Sequence, residues 1–202
     1  VTNDDGVHSD GIHALAAALT ALGVVIVVAP HIEASDIGHA LTLRRPLRME
    51  KLRDGVYEVD GTPTDCVNIA LTQLYTTPPD LVVSGINKGY NLGDDVTYSG
   101  TVAGAMEGAL LGIPSIAVSL QRTETFDFGP AAQAASAIAT MVLERGLPGG
   151  QLLGSSFDYT HRLLDFDLAA VKQPTPKLGN SAEVEPESAQ PMRIPTWLCQ
   201  RR

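Results

Sequence analysis

Val24-Val25-Ile26-Val27-Val28-Ala29-Pro30 is a continuous, mostly β-branched run closed by a proline. A run of that kind fits a central parallel strand covered on both faces. Upstream of it Ile12, Leu15, Ala16, Leu19 and Leu22 recur at helical spacing, and Gly23 stands where a C-cap is expected. Upstream again, Val1-Thr2 reads as the end of a buried strand, and Gly6 as the turn that stops it. Strand, helix and strand within about thirty residues make a right-handed βαβ unit.

The rest of the chain extends that unit. Leu47 to Val59 reads as a hairpin, with Asp54-Gly55 as the turn. Thr62 is the expected N-cap of the next helix and Pro63 its first residue, with Val67, Ala70, Leu71 and Leu74 on the apolar face. Asp80 to Gly85 reads as a third parallel strand, followed by a glycine-rich loop over residues 85–95. Ser99-Gly100-Thr101 opens a helix to Leu111, whose Ala103, Gly104, Ala105, Gly108 and Ala109 predict close packing on the sheet. Pro114 to Leu120 is a fourth strand and Pro130 to Glu144 another helix. Beyond Gly149 the pattern weakens. A short ordered piece is expected near Asp165–Val171, and residues 173–202 read as an extended arm or tail. The expected fold is therefore α/β: a three-layer, doubly wound (Rossmann-like), mostly parallel sheet with a β-hairpin and a C-terminal arm. Residues 1–150 would form the domain and 151–202 an arm for oligomerisation.

At 202 residues, with 44% apolar and 18% charged residues, the composition is that of a globular domain. A net charge of −9 argues against non-specific nucleic-acid binding and against an anionic membrane surface. Two cysteines, Cys66 and Cys199, form no CxxC motif, which suits a reducing cytoplasm; Cys66 reads as a core residue. No stretch has the length of a membrane span or the pattern of a signal peptide. The chain opens inside a strand and without Met, which predicts that a few residues precede it.

In a doubly wound sheet the ligand sits beyond the carboxyl ends of the strands, where the strand order reverses. Four polar segments follow strands and would meet there: Asn3-Asp4-Asp5, the loop with Ser35, Gly38 and His39, the loop with Asn87 and Asn91, and Ser99-Gly100-Thr101. Adjacent carboxylates on a regular strand point to opposite faces, so Asp4 and Asp5 share a ligand only if the chain turns at Gly6. Two adjacent carboxylates without a cation repel each other, which suggests a hard divalent metal such as Mg²⁺ or Mn²⁺. Asn and Asp are also ordinary turn residues, so a turn with a helix cap is the other reading. Neutral oxygens of Ser35 and Asn87 would complete the shell. The helix opened by Ser99 offers backbone N–H groups suited to phosphate, or simply a capped end. His39 is the histidine placed to bind phosphate or to protonate a leaving oxygen, or it fills a plain polar loop. His8 and His13 read as surface residues. No GxxxxGK[ST], GxGxxG after the first strand, or GxSxG is present, which counts against a P-loop ATPase, a nicotinamide oxidoreductase and an α/β-hydrolase.

Five stretches together resemble the stationary-phase survival protein E (SurE) family of metal-dependent nucleotidases. They are VTNDDG (1–6), VVAP (27–30), GTPTDCV (61–67), SGINKGYNLGDDVTYSGTVAGAMEG (84–108) and IPSIAVSL (113–120). The resemblance implies hydrolysis of nucleoside 5′- and 3′-monophosphates, with some short-polyphosphate cleavage. It maps one divalent-metal site onto Asp4, Asp5, Ser35 and Asn87, and phosphate-side loops onto Asn3, Asn91, Ser99, Gly100 and Thr101. Gly38 and His39 join the substrate side. It also implies a homodimer or homotetramer. The last third departs from the family pattern, which predicts that segments are absent after residue 150. The expected function is a cytoplasmic phosphomonoesterase using metal-activated water, with Asp4 and Asp5 as catalytic residues. Asp5 as a direct nucleophile is disfavoured by the lack of a DxD pattern. A nucleotide-binding sensor without turnover is the alternative.

Overall fold

In the computed structural model of the chain, the described residues are 1–34, 38–147, 151–157 and 163–170. They form helices α1 (Asp10–Leu19), α2 (Pro63–Gln73), α3 (Gly100–Leu110) and α4 (Gly129–Arg145). The strands are β1 (Val27–Pro30), β2 (Met49–Arg53), β3 (Val56–Val59), β4 (Val82–Lys88), β5 (Ser115–Leu120), β6 (Gln151–Phe157) and β7 (Leu163–Ala170). The fold is the expected mixed α/β arrangement.

The strands make two ladders, β1-β3-β2 and β4-β5-β6-β7, and Val1-Thr2 lies between them. The Val28 N–H donates to Val1 O (2.9 Å), the Thr2 N–H to Val83 O (3.0 Å) and the Gly85 N–H to Thr2 O (2.9 Å). From this central pair the chain passes through α1 to β1 on one side and returns later to β4 on the other. That is the switch point of a doubly wound sheet, and its crevice opens just past Thr2. Helices α1 and α4 pack together on one face, α2 and α3 on the other. Leu15, Leu19, Ile86, Ile116, Ile138 and Leu153 fill the first interface; Val28, Val59, Cys66 and Ala70 fill much of the second. Cys66 is a core residue as expected, and burial pushes its thiol pKa up.

Local chemistry explains most boundaries. Thr62 and Asp65 form a reciprocal capping box at α2, with Pro63 in its first turn. The Thr62 hydroxyl accepts from Asp65 N–H (3.0 Å) and donates to Ala40 O (2.7 Å). Thr62→Ala is expected to lower unfolding stability by about 1–2 kcal/mol, read as a fall in urea midpoint at constant slope. The hairpin turns at Asp54-Gly55, where Gly55 has φ 71°. Gly104 and Gly108 let α3 touch the sheet: a Cβ on Gly104 would stand 2.9 Å from Thr2 Cγ2, and one on Gly108 2.9 Å from Val82 Cβ.

Three boundaries differ from expectation. α1 stops at Leu19 instead of Leu22, because the Thr20 hydroxyl donates to Ala17 O (2.7 Å) and satisfies a last-turn carbonyl. β1 begins at Val27, where pairing with Val56 of β3 begins, and Val24 is 95% exposed. β4 runs on to Lys88, so Asn87 lies on the strand end rather than in the loop; an irregularity in its pairing with β5 between Ser84 and Asn87 accompanies this. β6, parallel to β5, extends the sheet in the region where the sequence pattern fades, and β7 pairs antiparallel beside it. Residues 173–202 lie outside the described residues.

Candidate functional site

Gly6 turns the chain at φ 92°, so the residues before it leave the sheet at its carboxyl edge. Asn3 holds that turn closed. Its fully buried amide donates to Gly6 O (3.1 Å) and to Ser9 Oγ (2.7 Å), which joins the turn to the start of α1. Asp4 and Asp5 are thereby presented together at the switch-point crevice.

Asp4 is buried against the N-terminus of α3. The Thr101 hydroxyl donates to Asp4 Oδ1, and a Cβ on Gly100 would stand 2.8 Å from Asp4 Cβ and 3.0 Å from Oδ2. Only glycine leaves room for the carboxylate there. The Ser99 hydroxyl caps α3 by accepting from Val102 N–H (3.1 Å). The Asp4 carbonyl accepts from Ala34 N–H (2.7 Å), tying the loop after β1 to the same spot. Ser35 lies outside the described residues. Burial pushes the Asp4 carboxyl up to about 6, against the pull of the Thr101 hydroxyl.

Asp5 is half-buried, and its Oδ2 is a buried oxygen with no hydrogen-bond partner among the described residues. Burial raises its pKa; Lys88, through its charge and its backbone N–H, and Arg122 oppose the rise, while Glu33 adds to it. The Asn87 amide donates to Gly89 O (3.1 Å), leaving Oδ1 to accept from or ligate another group. The Asn91 amide donates to Ser119 Oγ (2.6 Å) and pins the glycine-rich loop to the end of β5. The Gly38 N–H donates to Tyr98 O (3.1 Å), so the loop after Ser35 lies beside the start of α3.

His39 is held away from that start. Its Nε2 pairs with Glu107 Oε2 at 2.9 Å, and Glu107 Oε1 accepts from Asn68 Nδ2 (3.1 Å). Glu107 is 5% exposed and sits two turns along α3, so this network clamps the loop between α2 and α3. Asp65 clamps the same loop by accepting from the Thr42 N–H (2.9 Å) and hydroxyl (2.6 Å). The sequence reading gave neither carboxylate this role; the available signal was that Glu107 is the one charged residue of α3.

The residues fit a hard divalent cation. Every candidate donor is an oxygen, both carboxylates are desolvated, and Asp5 Oδ2 has among the described residues no partner of the kind a buried carboxylate requires. Among the described residues no three His, Cys, Asp or Glu side chains gather, so neutral oxygens and water would supply the remaining ligands. A pH test follows from Asp4. Its folded pKa lies above the ordinary 3.8, so its contribution to stability is full below pH 3.8 and is lost as pH rises through about 6. At ~1.4 kcal/mol per tenfold change in proton affinity this is roughly 3 kcal/mol. Urea midpoints in EDTA are expected to fall across that window in the wild type and much less in Asp4→Asn, with Mg²⁺ restoring the wild type at pH 7.

A family model described as "Survival protein SurE" matches residues 1–174. The chain is 62% identical over 149 residues to "5'-nucleotidase SurE" of Pelobacter propionicus, covering 73% of this chain and 60% of that protein. It is 56% identical over 164 residues to "5'-nucleotidase SurE 1" of Thermus thermophilus, covering 78% and 64%. The crystal structure of the Sure protein from Aquifex aeolicus superposes with a TM-score of 0.75 at 49% identity, over 78% of this chain and 64% of that one. The chain thus spans about 60% of the length of the curated relatives it matches. No helix among the described residues is long and apolar enough to cross a membrane.

Proposed function

The chain belongs to the survival protein SurE family, and from that premise we propose that it is a metal-dependent phosphomonoesterase acting on nucleoside 5′- and 3′-monophosphates. The observation that carries the reading is the Asp4-Asp5 pair at the switch point, one carboxylate against the N-terminus of α3 and the other with an orphan buried oxygen. Relatives of high identity bear the name 5′-nucleotidase, which supports the substrate class.

Asp4, Asp5, Ser35 and Asn87 would hold one Mg²⁺ or Mn²⁺. Such an ion lowers the pKa of a coordinated water and offsets charge on phosphoryl oxygens. Thr101 fixes the Asp4 carboxylate through its hydroxyl, so the site is set before substrate arrives. At the start of α3 the Ser99 hydroxyl takes the Val102 N–H and Asp4 takes the Thr101 backbone N–H, so the terminus would favour a phosphate oxygen through the Gly100 N–H and the helix dipole. Asn3 and Asn91 keep the two flanking turns in place by the bonds described above. In the reaction a water oxygen forms the new P–O bond, the P–O bond to the ribose breaks, and the nucleoside oxygen takes up a proton. His39, held by Glu107, orders the loop that borders this crevice. We further infer a cytoplasmic homodimer or homotetramer in which the arm expected from residue 151 onward exchanges only beyond β6, which belongs to the sheet, to be read from sedimentation of the chain with and without residues 171–202.

The test of the function is phosphate release from a panel of 5′- and 3′-nucleotides with Mg²⁺, Mn²⁺ or EDTA. Metal-dependent release that EDTA stops supports the reading and ranks the substrates. Nucleotide recovered intact from a folded, metal-loaded protein would replace it with a binding protein that senses nucleotide without turnover.

A further inference from the structure

β4 and β5 end side by side at the carboxyl edge of the sheet. Lys88, the last residue of β4, is paired with Leu120, the last of β5, and the Gly89 N–H donates to Leu120 O (2.8 Å). Arg122 follows two residues later. Both cations therefore stand at the same edge as the Asp4-Asp5 turn, whose Thr2 is bridged to Ser84 of β4. Lys88 is half-buried and Arg122 exposed.

The charges around Asp5 divide by side. Lys88 and Arg122 lie near Asp5 on the β4–β5 side, and Glu33 follows β1 on the other. Among the described residues the side-chain ion pairs are His39–Glu107, Arg45–Asp60 and Lys51–Asp54, so neither Lys88 nor Arg122 is held by one. In a chain of net charge −9 two cations without such a partner at one rim are set toward an anion from outside. The charge count agrees. Two carboxylates cancel a divalent cation, a phosphomonoester brings two negative charges at neutral pH, and two cations balance them.

We propose that Lys88 and Arg122 form a cationic rim that binds the phosphate dianion of the substrate, opposite the α3 terminus. The proposal rests on the phosphomonoesterase reading for its substrate, but its test does not need turnover. Both side chains repel a divalent cation near Asp5 and attract phosphate, so removing them moves the two affinities in opposite directions.

The experiment uses the full chain carrying Lys88→Met and Arg122→Met together, with Lys88→Arg and Arg122→Lys together as the charge-retaining control. Mn²⁺ affinity is read by electron paramagnetic resonance, and inorganic phosphate affinity by calorimetry on the Mn²⁺-saturated protein. The expected result is phosphate binding weakened by about tenfold or more with Mn²⁺ bound as tightly or more tightly. The control should stay within about threefold of wild type, and the effect should shrink at high salt because exposed charges are screened. Phosphate affinity unchanged by the double Met variant overturns the rim. So does a parallel loss of Mn²⁺ and phosphate binding, which would mark a structural role. A wild type that shows the rim behaviour but releases no phosphate from any nucleotide supports the rim and counts against the nucleotidase reading alone.

Discussion

Asp5→Asn is expected to lower metal-dependent kcat/KM by about three orders of magnitude, or ~4 kcal/mol of transition-state stabilisation, while leaving the metal-free protein as stable as wild type or more so. The substitution keeps the shape of the side chain and removes its charge. Asp5 is a desolvated carboxylate with a buried Oδ2 that nothing among the described residues partners. Such a group costs stability in the metal-free fold and is retained for what it binds. Loss of a proposed direct ligand should exceed the roughly 10–100-fold effect typical of groups that only orient ligands. The check is kinetic and thermal together: phosphate release at saturating Mn²⁺, and Tm in EDTA. Activity within tenfold of wild type would remove Asp5 from the site. A large fall of Tm in EDTA would make Asp5 a structural residue instead.

Gly85→Ala should be the most damaging single-methyl change, costing about 4 kcal/mol of a total stability of roughly 5–15 kcal/mol. Gly85 sits within β4 at φ 139°, a conformation that L side chains rarely adopt. A Cβ there would collide with the Val118 carbonyl oxygen and lie 3.2 Å from Val118 C, both backbone atoms of the adjacent strand. Neither strand can move alone, because Thr2 accepts from the Gly85 N–H on the other side. Gly93→Ala is the control: φ is also positive (56°), but no described residue lies within 4 Å of its Cβ, so about 1–2 kcal/mol is expected. Urea unfolding of both variants separates backbone strain from crowding. Equal losses would show that packing against β5 contributes little.

Much of this was legible in the residues because the signals are local. The Thr62-Pro63 helix start, the Asp54-Gly55 turn and the alternation of apolar runs with helical spacing each act within a few residues, and each appears within a few residues of where it is read. The Asn3-Asp4-Asp5-Gly6 turn is local too: glycine permits the bend, and Asn3 closes it with its own side chain. The fading of pattern beyond Gly149 hid β6, whose place is set by pairing with β5 more than by its own sequence.

The sequence by itself determined the α/β alternation, the position of the carboxylate pair at a strand end, and the small-residue face of α3, since these depend on backbone preference and on which side chains water excludes. Tertiary structure decided the rest. Val24 is exposed because the partner hairpin does not reach it, and Asn87 joins β4 where that strand's register with β5 shifts. His39 turns to Glu107, 68 residues away, because a buried carboxylate needs hydrogen-bond donors wherever the fold brings them. The setting of Asp5 between Glu33 and the cations Lys88 and Arg122 is of the same kind. Coulomb interactions follow distance in space, and spacing along the chain does not report it.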